Sequence, residues 1–218
     1  AGGRHRELAL LEIARANACR IFADWDCQRD AGIEARKAAD AAGEPLLAVR
    51  GLIAESRALL SQQQYSPGGR VLAEAERRLA LNPSPVLSAG VQLGYSSMSN
   101  LLGRHELARS YANRGLEALG EIPEPLIRAR LLRNLKELHH AAEDWPRLLA
   151  VCERLVVLLP QDAAQRRDRG LVLAQLGHGA AAAADLRAYL QQRPDAGDAA
   201  ALREHLRALD GGRRGGLH

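Results

Sequence analysis

The sequence predicts an all-α chain of short helices joined as hairpins, and three observations carry that prediction. Ala and Leu fill 77 of the 218 positions, while there is one Phe and two Trp, so strong helix formers dominate and sheet-filling aromatics are scarce. Apolar residues recur at three- and four-residue spacing, the period of a helix face. Gly, Pro and Asn/Asp clusters interrupt that period every 12 to 18 residues, which is punctuation for short helices with short connections. A sandwich, a barrel and a Rossmann core are excluded on composition.

The punctuation sets the elements in order. Helices are predicted over 5–23, 28–42, 45–62, 68–81, 85–102, 105–119, 124–142, 145–159, 163–176, 179–192 and 197–209. Gly43-Glu44-Pro45, Ser66-Pro67-Gly68-Gly69, Asn82-Pro83-Ser84-Pro85 and Gly103 break the first half. Pro123-Glu124-Pro125, Pro160, Gly177, Pro194 and Gly197 break the second. Proline suits a first helical turn because its missing N–H would be unpaired there anyway. Asp24-Trp25 and Asp144-Trp145 place an acid before an aromatic at a helix start, so the Asp reads as a cap and the Trp as a packing residue. The last predicted helix puts Leu202, Leu206 and Leu209 on one face and Arg203, Glu204 and Arg207 on the other, the pattern of a cap covering an apolar end.

The helices repeat. Pro160 and Pro194 stand 34 residues apart, each closing an apolar helix. Arg169-Gly170, Leu173, Gly177, Ala182, Leu186, Tyr189 and Pro194 follow at the spacing of a tetratricopeptide unit. The preceding unit runs through Leu135-Lys136, His139, Trp145, Leu148, Cys152, Leu155 and Pro160. Upstream, Gly103, Ala108, Ala112 and Gly115 repeat the pattern of turn plus small residues. The chain therefore resembles a tetratricopeptide-like α-solenoid of about five antiparallel helix pairs plus a C-terminal capping helix. One helix pair cannot bury its apolar stripe alone and must stack on its neighbours. The predicted organisation is a single helical-repeat domain over 1–209, with divergent pairs in 5–82, an intermediate pair in 85–119, the best-matching units in 124–196 and the cap in 197–209. A flexible Gly/Arg tail is predicted over 210–218.

Residues 130–209 are also similar to the repeat tail of the bacterial SirB1 family, through Leu132-Arg133-Asn134-Leu135-Lys136, Asp144-Trp145, Arg167-Asp168-Arg169-Gly170-Leu171 and Asp185-Leu186-Arg187-Ala188-Tyr189-Leu190. In that family the tail usually follows a transglutaminase-like domain. That domain's Pro-Ile-Thr-Leu and Pro-Gly-His-Phe stretches have no counterpart in 1–129, and the chain has no Thr. The resemblance therefore implies the repeats and not the activity.

Chemistry is sparse. There is no HExxH, GxSxG, GxGxxG, Walker or EF-hand pattern, and no cofactor or metal is expected. Adjacent His139 and His140 point about 100° apart on a helix and are poorly placed for one metal. His139 takes an aromatic core place. Cys19, Cys27 and Cys152 form no CxxC pair and no disulfide framework, and are read as small buried hydrophobes. The net charge of +4 is too mild for a dedicated nucleic-acid binder. No apolar run approaches the length of a membrane helix. The expected compartment is the cytoplasm, with the periplasm left open because the chain begins without Met.

The function expected is a non-enzymatic protein–protein interaction scaffold or adaptor that takes a protein or acidic peptide in a concave groove. The alternative is an accessory or regulatory repeat segment of a larger bacterial enzyme or signalling protein. In a tetratricopeptide stack the first helix of each pair lines the concave face, which here selects Arg130, Arg133, Glu137, His140, Arg167, Leu171 and Gln175. The same reasoning selects Ser97 and Asn100 from the small, polar stretch upstream. Arg130, Arg133 and Arg167 would supply guanidinium forks for carboxylates; the alternative is a solvated face whose arginines pair with Glu137 and Asp168. Relatives that grip a chain-end carboxylate use a Lys/Asn clamp, and Arg133 with Glu137 stands there instead, where the acid would repel such a ligand.

Overall fold

The computed structural model describes residues 2–214, and side chains through 210. Among the described residues there are eleven helices and no strand. They form two compact units divided between Leu131 and Leu132. The first holds α1 (Gly2–Ile21), α2 (Trp25–Ala42), α3 (Pro45–Ser61), α4 (Tyr65–Leu81), α5 (Pro85–Leu101), α6 (His105–Leu119) and the opening of α7 (Pro125–Ala141). The second holds the rest of α7, then α8 (Trp145–Leu158), α9 (Ala163–Gln175), α10 (Gly179–Gln192) and α11 (Ala199–Arg214). The predicted helices agree with these to within a few residues. The largest difference is α11, which runs on to Arg214 instead of giving way to a tail at 210; residues 215–218 lie outside the described residues.

Local chemistry fixes the helix ends. Asp24 accepts a hydrogen bond from the Cys27 N–H at 3.0 Å, and Asp144 one from the Arg147 N–H at 3.3 Å, as the cap reading requires. Ser84 and Asp162 cap α5 and α9 in the same way. Within the hairpins the turn depends on one left-handed residue. Ala23, Gln63, Gly103 and Glu143 have φ of 54°, 60°, 71° and 52°, and Gly177 follows at 80°. The first four recur every 40 residues, and the step to Gly177 is 34. The upstream half is thus a regular repeat with a longer period than the downstream one.

In the first unit, α1, α2 and α3 pack through alanines: Ala9, Ala38, Ala39 and Ala48 at one level, Ala16, Ala31 and Ala54 at another. Two glycines bring α2 and α3 together at backbone distance. A Cβ on Gly32 would lie 2.7 Å from the Glu55 nitrogen, and one on Gly51 would lie 2.7 Å from the Gly32 carbonyl oxygen. Farther along, Val49, Leu52, Leu60, Leu72, Leu79 and Val91 form a larger-residue core. Full burial of such a side chain is worth roughly 1.5–3 kcal/mol.

One cysteine expectation is corrected here. Cys19 near the end of α1 and Cys27 in the first turn of α2 are joined as a disulfide, with Cα atoms 5.7 Å apart, inside the range a bridge spans. The hairpin turn folds the two helix ends onto each other, which a spacing rule for linear motifs does not register. Cys152 is buried and free, and burial pushes its thiol up to about 11, so it is a packing residue.

The second unit has two cores. Leu148, Cys152 and Val172 form one, with Trp145 against it. Ala183, Leu186, Tyr189, Leu202 and Leu206 form the other, with Leu209 packed on it. Arg203, Glu204 and Arg207 are exposed, so α11 has the amphipathic cap geometry that its sequence predicts.

Candidate partner-binding grooves

Each unit contains a groove, and six of the nine residues selected from the sequence line one or the other, whereas Arg133, Arg167 and Asn100 line neither. In the second unit a cavity of about 640 Å³ is lined by Glu137, His140, Leu171 and Gln175, together with Lys136, Trp145, Leu148, Cys152, Asp168, Val172, Ala174 and His205. His140 lies edge-on to the Trp145 ring, centroids 5.8 Å apart. Leu171 stays 40% exposed, an apolar side chain presented by an otherwise well-packed helix.

Arg133, Lys136 and Arg167 are tied to aspartates of this unit. Arg133 reaches Asp162 at 3.4 Å. Lys136 donates to Asp168 at 2.6 Å and to Gln165 at 3.3 Å. Arg167 donates to Asp168 and to Asp198, each at 2.9 Å. It also packs over the Tyr189 ring, and the Tyr189 hydroxyl donates to Asp198 at 2.9 Å. These carboxylates occupy the forks expected to receive a ligand. Arg133 and Arg167 do not share a partner.

In the first unit a cavity of about 450 Å³ collects residues from α2 to α5 and the opening of α7. Arg130 and Ser97 line it, joined by Trp25, Ile53, Ser56, Arg57, Leu60, Ser61, Gln63, Tyr65, Gly90, Leu93, Gly94 and Leu101. Asn100 stands apart, with its side-chain oxygen 3.2 Å from His105 Nδ1. Of the tyrosines, Tyr65 lines the cavity, while Tyr95 and Tyr111 stack on each other 5.0 Å apart and Tyr95 donates to Glu76.

The electrostatics here oppose those of the second unit. Arg57 keeps some surface open to the cavity but is otherwise surrounded by protein. Burial, then repulsion from Arg130 and Arg20, pushes its guanidinium down to about 9. Burial and Arg20 lower Arg130 in the same direction. Among the described residues no carboxylate pairs with either. Arg57 escapes sequence reasoning because the 34-residue template does not reach α3. The 40-residue turn period would have found it: Arg57, Ser97 and Glu137 are successive members of one register, and Leu171 continues it after the shorter step.

No group of three or more His, Cys, Asp or Glu that could hold a metal occurs among the described residues. No helix among them is long and apolar enough to cross a membrane.

Comparison with known families decides the repeat type. Residues 135–207 match the family model described as tetratricopeptide repeat. This segment is therefore similar to tetratricopeptide repeats. The whole fold agrees: the crystal structure of MamA protein superposes with a TM-score of 0.56 at 14% identity, covering 86% of this chain and 93% of that one. The all-α, tetratricopeptide-like fold is therefore shown for both halves, including the upstream pairs whose sequence departs most from the template. Two UPF0162 proteins of Xylella fastidiosa, from strains Temecula1 and 9a5c, are each 36% identical over 90 residues, or 41% of this chain. The alignment spans about a third of those relatives, 32% of their length.

Proposed function

We propose that the protein is a non-enzymatic interaction scaffold that holds a peptide segment of a partner protein in the groove of its second unit. The observation that carries this reading is the exposed Leu171 beside Trp145, Leu148 and Val172, in a groove whose one lining lysine, Lys136, is already paired with Asp168. Such a surface favours an apolar side chain, with His140, His205, Glu137 and Gln175 at its edge to orient the peptide. The tetratricopeptide fold supports the scaffold class. An acidic peptide is less well matched here than the sequence suggests, because Arg133 and Arg167 would have to leave Asp162, Asp168 and Asp198 to bind it. The similarity of residues 130–209 to the SirB1 repeat tail extends the proposal to an accessory role beside other domains; transglutaminase-like chemistry is not carried over.

The test is titration of a partner recovered from the source lysate against wild type and Leu171→Glu, followed by Trp145 fluorescence. The exposed position of Leu171 leaves folding intact, so at least a tenfold loss of affinity is expected. Equal affinities would remove this groove from the account.

A further inference from the structure

The first unit's cavity is built differently. Two guanidinium groups, Arg57 on α3 and Arg130 on α7, face one cavity without a carboxylate between them, and Arg20 at the end of α1 adds a third positive charge to their surroundings. Every other inward cation described above has an aspartate within ion-pairing distance. Unpaired charge in a partly desolvated site opposes folding, and among the described residues no carboxylate pairs with either arginine. A ligand that brings negative charge would offset it. Around the arginines the walls are mixed. Ser61, Ser97 and Gln63 offer polar contacts, while Trp25, Tyr65, Leu60, Leu93 and Leu101 form apolar sides. A volume of about 450 Å³ accommodates a few side chains, not a folded domain.

We propose that this cavity is a second binding site, separate from the groove of the second unit, and that it receives an acidic side chain of a peptide together with the apolar residues flanking it. The two guanidinium forks bind the carboxylate by charge-assisted hydrogen bonds, and the aromatic and leucine walls hold the neighbours. Gly90 and Gly94 both line the cavity, and a Cβ on Gly90 would already be 3.1 Å from Ile53 in its wall.

The proposal extends the scaffold reading, but its reporter is its own. Trp25 lines this cavity and Trp145 the other. In full-length Trp145→Phe protein, Trp25 fluorescence is followed during titration with a blocked heptapeptide carrying two central glutamates flanked by leucines. Its glutamine counterpart, inorganic phosphate and a short oligothymidylate are titrated in parallel. The glutamate peptide is expected to bind at least tenfold more tightly than each of the other three. Arg57→Gln and Arg130→Gln, made separately, are each expected to cost at least tenfold, while the melting temperature stays level or rises because a repelled charge is removed. Equal binding of the glutamate and glutamine peptides would overturn the proposal, as would undiminished binding by either variant. Phosphate or oligothymidylate matching the glutamate peptide would replace the peptide by a free anion or a nucleic acid and overturn it equally. A fall in melting temperature for both variants would assign the arginines to the fold instead.

Discussion

The two units solve the same problem with opposite use of charge. In the second, Arg133, Lys136, Arg167 and Arg169 each meet an aspartate, and Arg169 grips Asp185 through two bonds of 2.6 and 2.7 Å. In the first, Arg57 and Arg130 pair with no acid among the described residues; burial lowers both, and the charges that push them further down are other arginines. An inward-facing arginine is therefore not by itself a binding residue. Its partner decides: a guanidinium held by an internal carboxylate is structural, whereas an unopposed pair at a cavity is open to an external anion. The units differ in packing as well. The first brings α2 and α3 together backbone to backbone at Gly32 and Gly51. In the second, a Cβ on Gly170 would meet side-chain atoms, Leu186 at 3.0 Å and Asp185 at 3.2 Å.

The packing contrast gives the largest expected effect. Gly51→Ala sets a methyl group against backbone atoms of α2 that cannot turn aside, and should cost about 3 kcal/mol or more, the upper range of overpacking. Gly170→Ala meets Leu186 carbons and the Asp185 Cβ, side-chain atoms that need give by only a few tenths of an ångström, and the helix gains about 1 kcal/mol from replacing glycine, so its net cost should stay below about 1 kcal/mol. Urea unfolding of both variants measures the difference. Equal costs would mean that the α2–α3 contact is no tighter than the α9–α10 contact.

How much of this could be read from the sequence follows the same division. Turns are legible because Gly, Pro and Asp mark them chemically, and the 34-residue period picks out Glu137, His140, Leu171, Ala174 and Gln175, which line one cavity, together with Arg133 and Arg167, which do not. The upstream site was legible only in part. Ser97 and Arg130 were reached through the helix face, but Arg57 needed the 40-residue period. Two of that period's turns are carried by Ala23 and Gln63, which look like ordinary helix residues. Gly32 and Gly51 were passed over because a close approach depends on how two helices cross, and neither glycine breaks its own helix. The Cys19–Cys27 bond was missed for a related reason: the pairing is created by the fold of the hairpin, and the spacing alone carries no signal. The Arg167–Asp168 pair joins sequence neighbours, but Arg133–Asp162 and Arg167–Asp198 join residues about 30 positions apart, which a face-by-face reading does not couple.

A smaller effect tests the charge contrast through pH. The Tyr189 hydroxyl, together with Arg167, holds the Asp198 carboxyl below its ordinary value of 3.8. A folded-state value below the unfolded one means that Asp198 contributes stability at neutral pH, and that the contribution is lost as pH falls through the folded value. Asp198→Asn should therefore melt below wild type at pH 7, and the two curves should converge as the pH falls below 3.8 and through the folded value. A gap that persists at pH 2 would point to packing, not charge, as the role of Asp198. Arg57 supplies the opposite sign: its lowered value means that the charged form opposes the fold at neutral pH.

The smallest expected effect concerns the turns that both units share. Gly103 and Gly177 adopt the left-handed conformation that Ala23, Gln63 and Glu143 adopt at equivalent turns. Only glycine enters that region without steric cost, which for other residues is about 1–2 kcal/mol. Part of that gain is returned, because glycine also makes the unfolded chain more flexible. Gln63→Gly in the first unit and Glu143→Gly in the second should thus each stabilise by about 0.5–1 kcal/mol, and Gly177→Ala should destabilise by a similar amount. The side chains of Gln63 and Glu143 separate the two: Gln63 lines the first cavity, whereas Glu143 is exposed. Differential scanning calorimetry should therefore show the same small rise for both glycine variants, while only Gln63→Gly changes the Trp25 response to the glutamate peptide. A rise confined to one variant would mean that the turns are not equivalent. A change in peptide response with Glu143→Gly would mean that the two grooves are not independent.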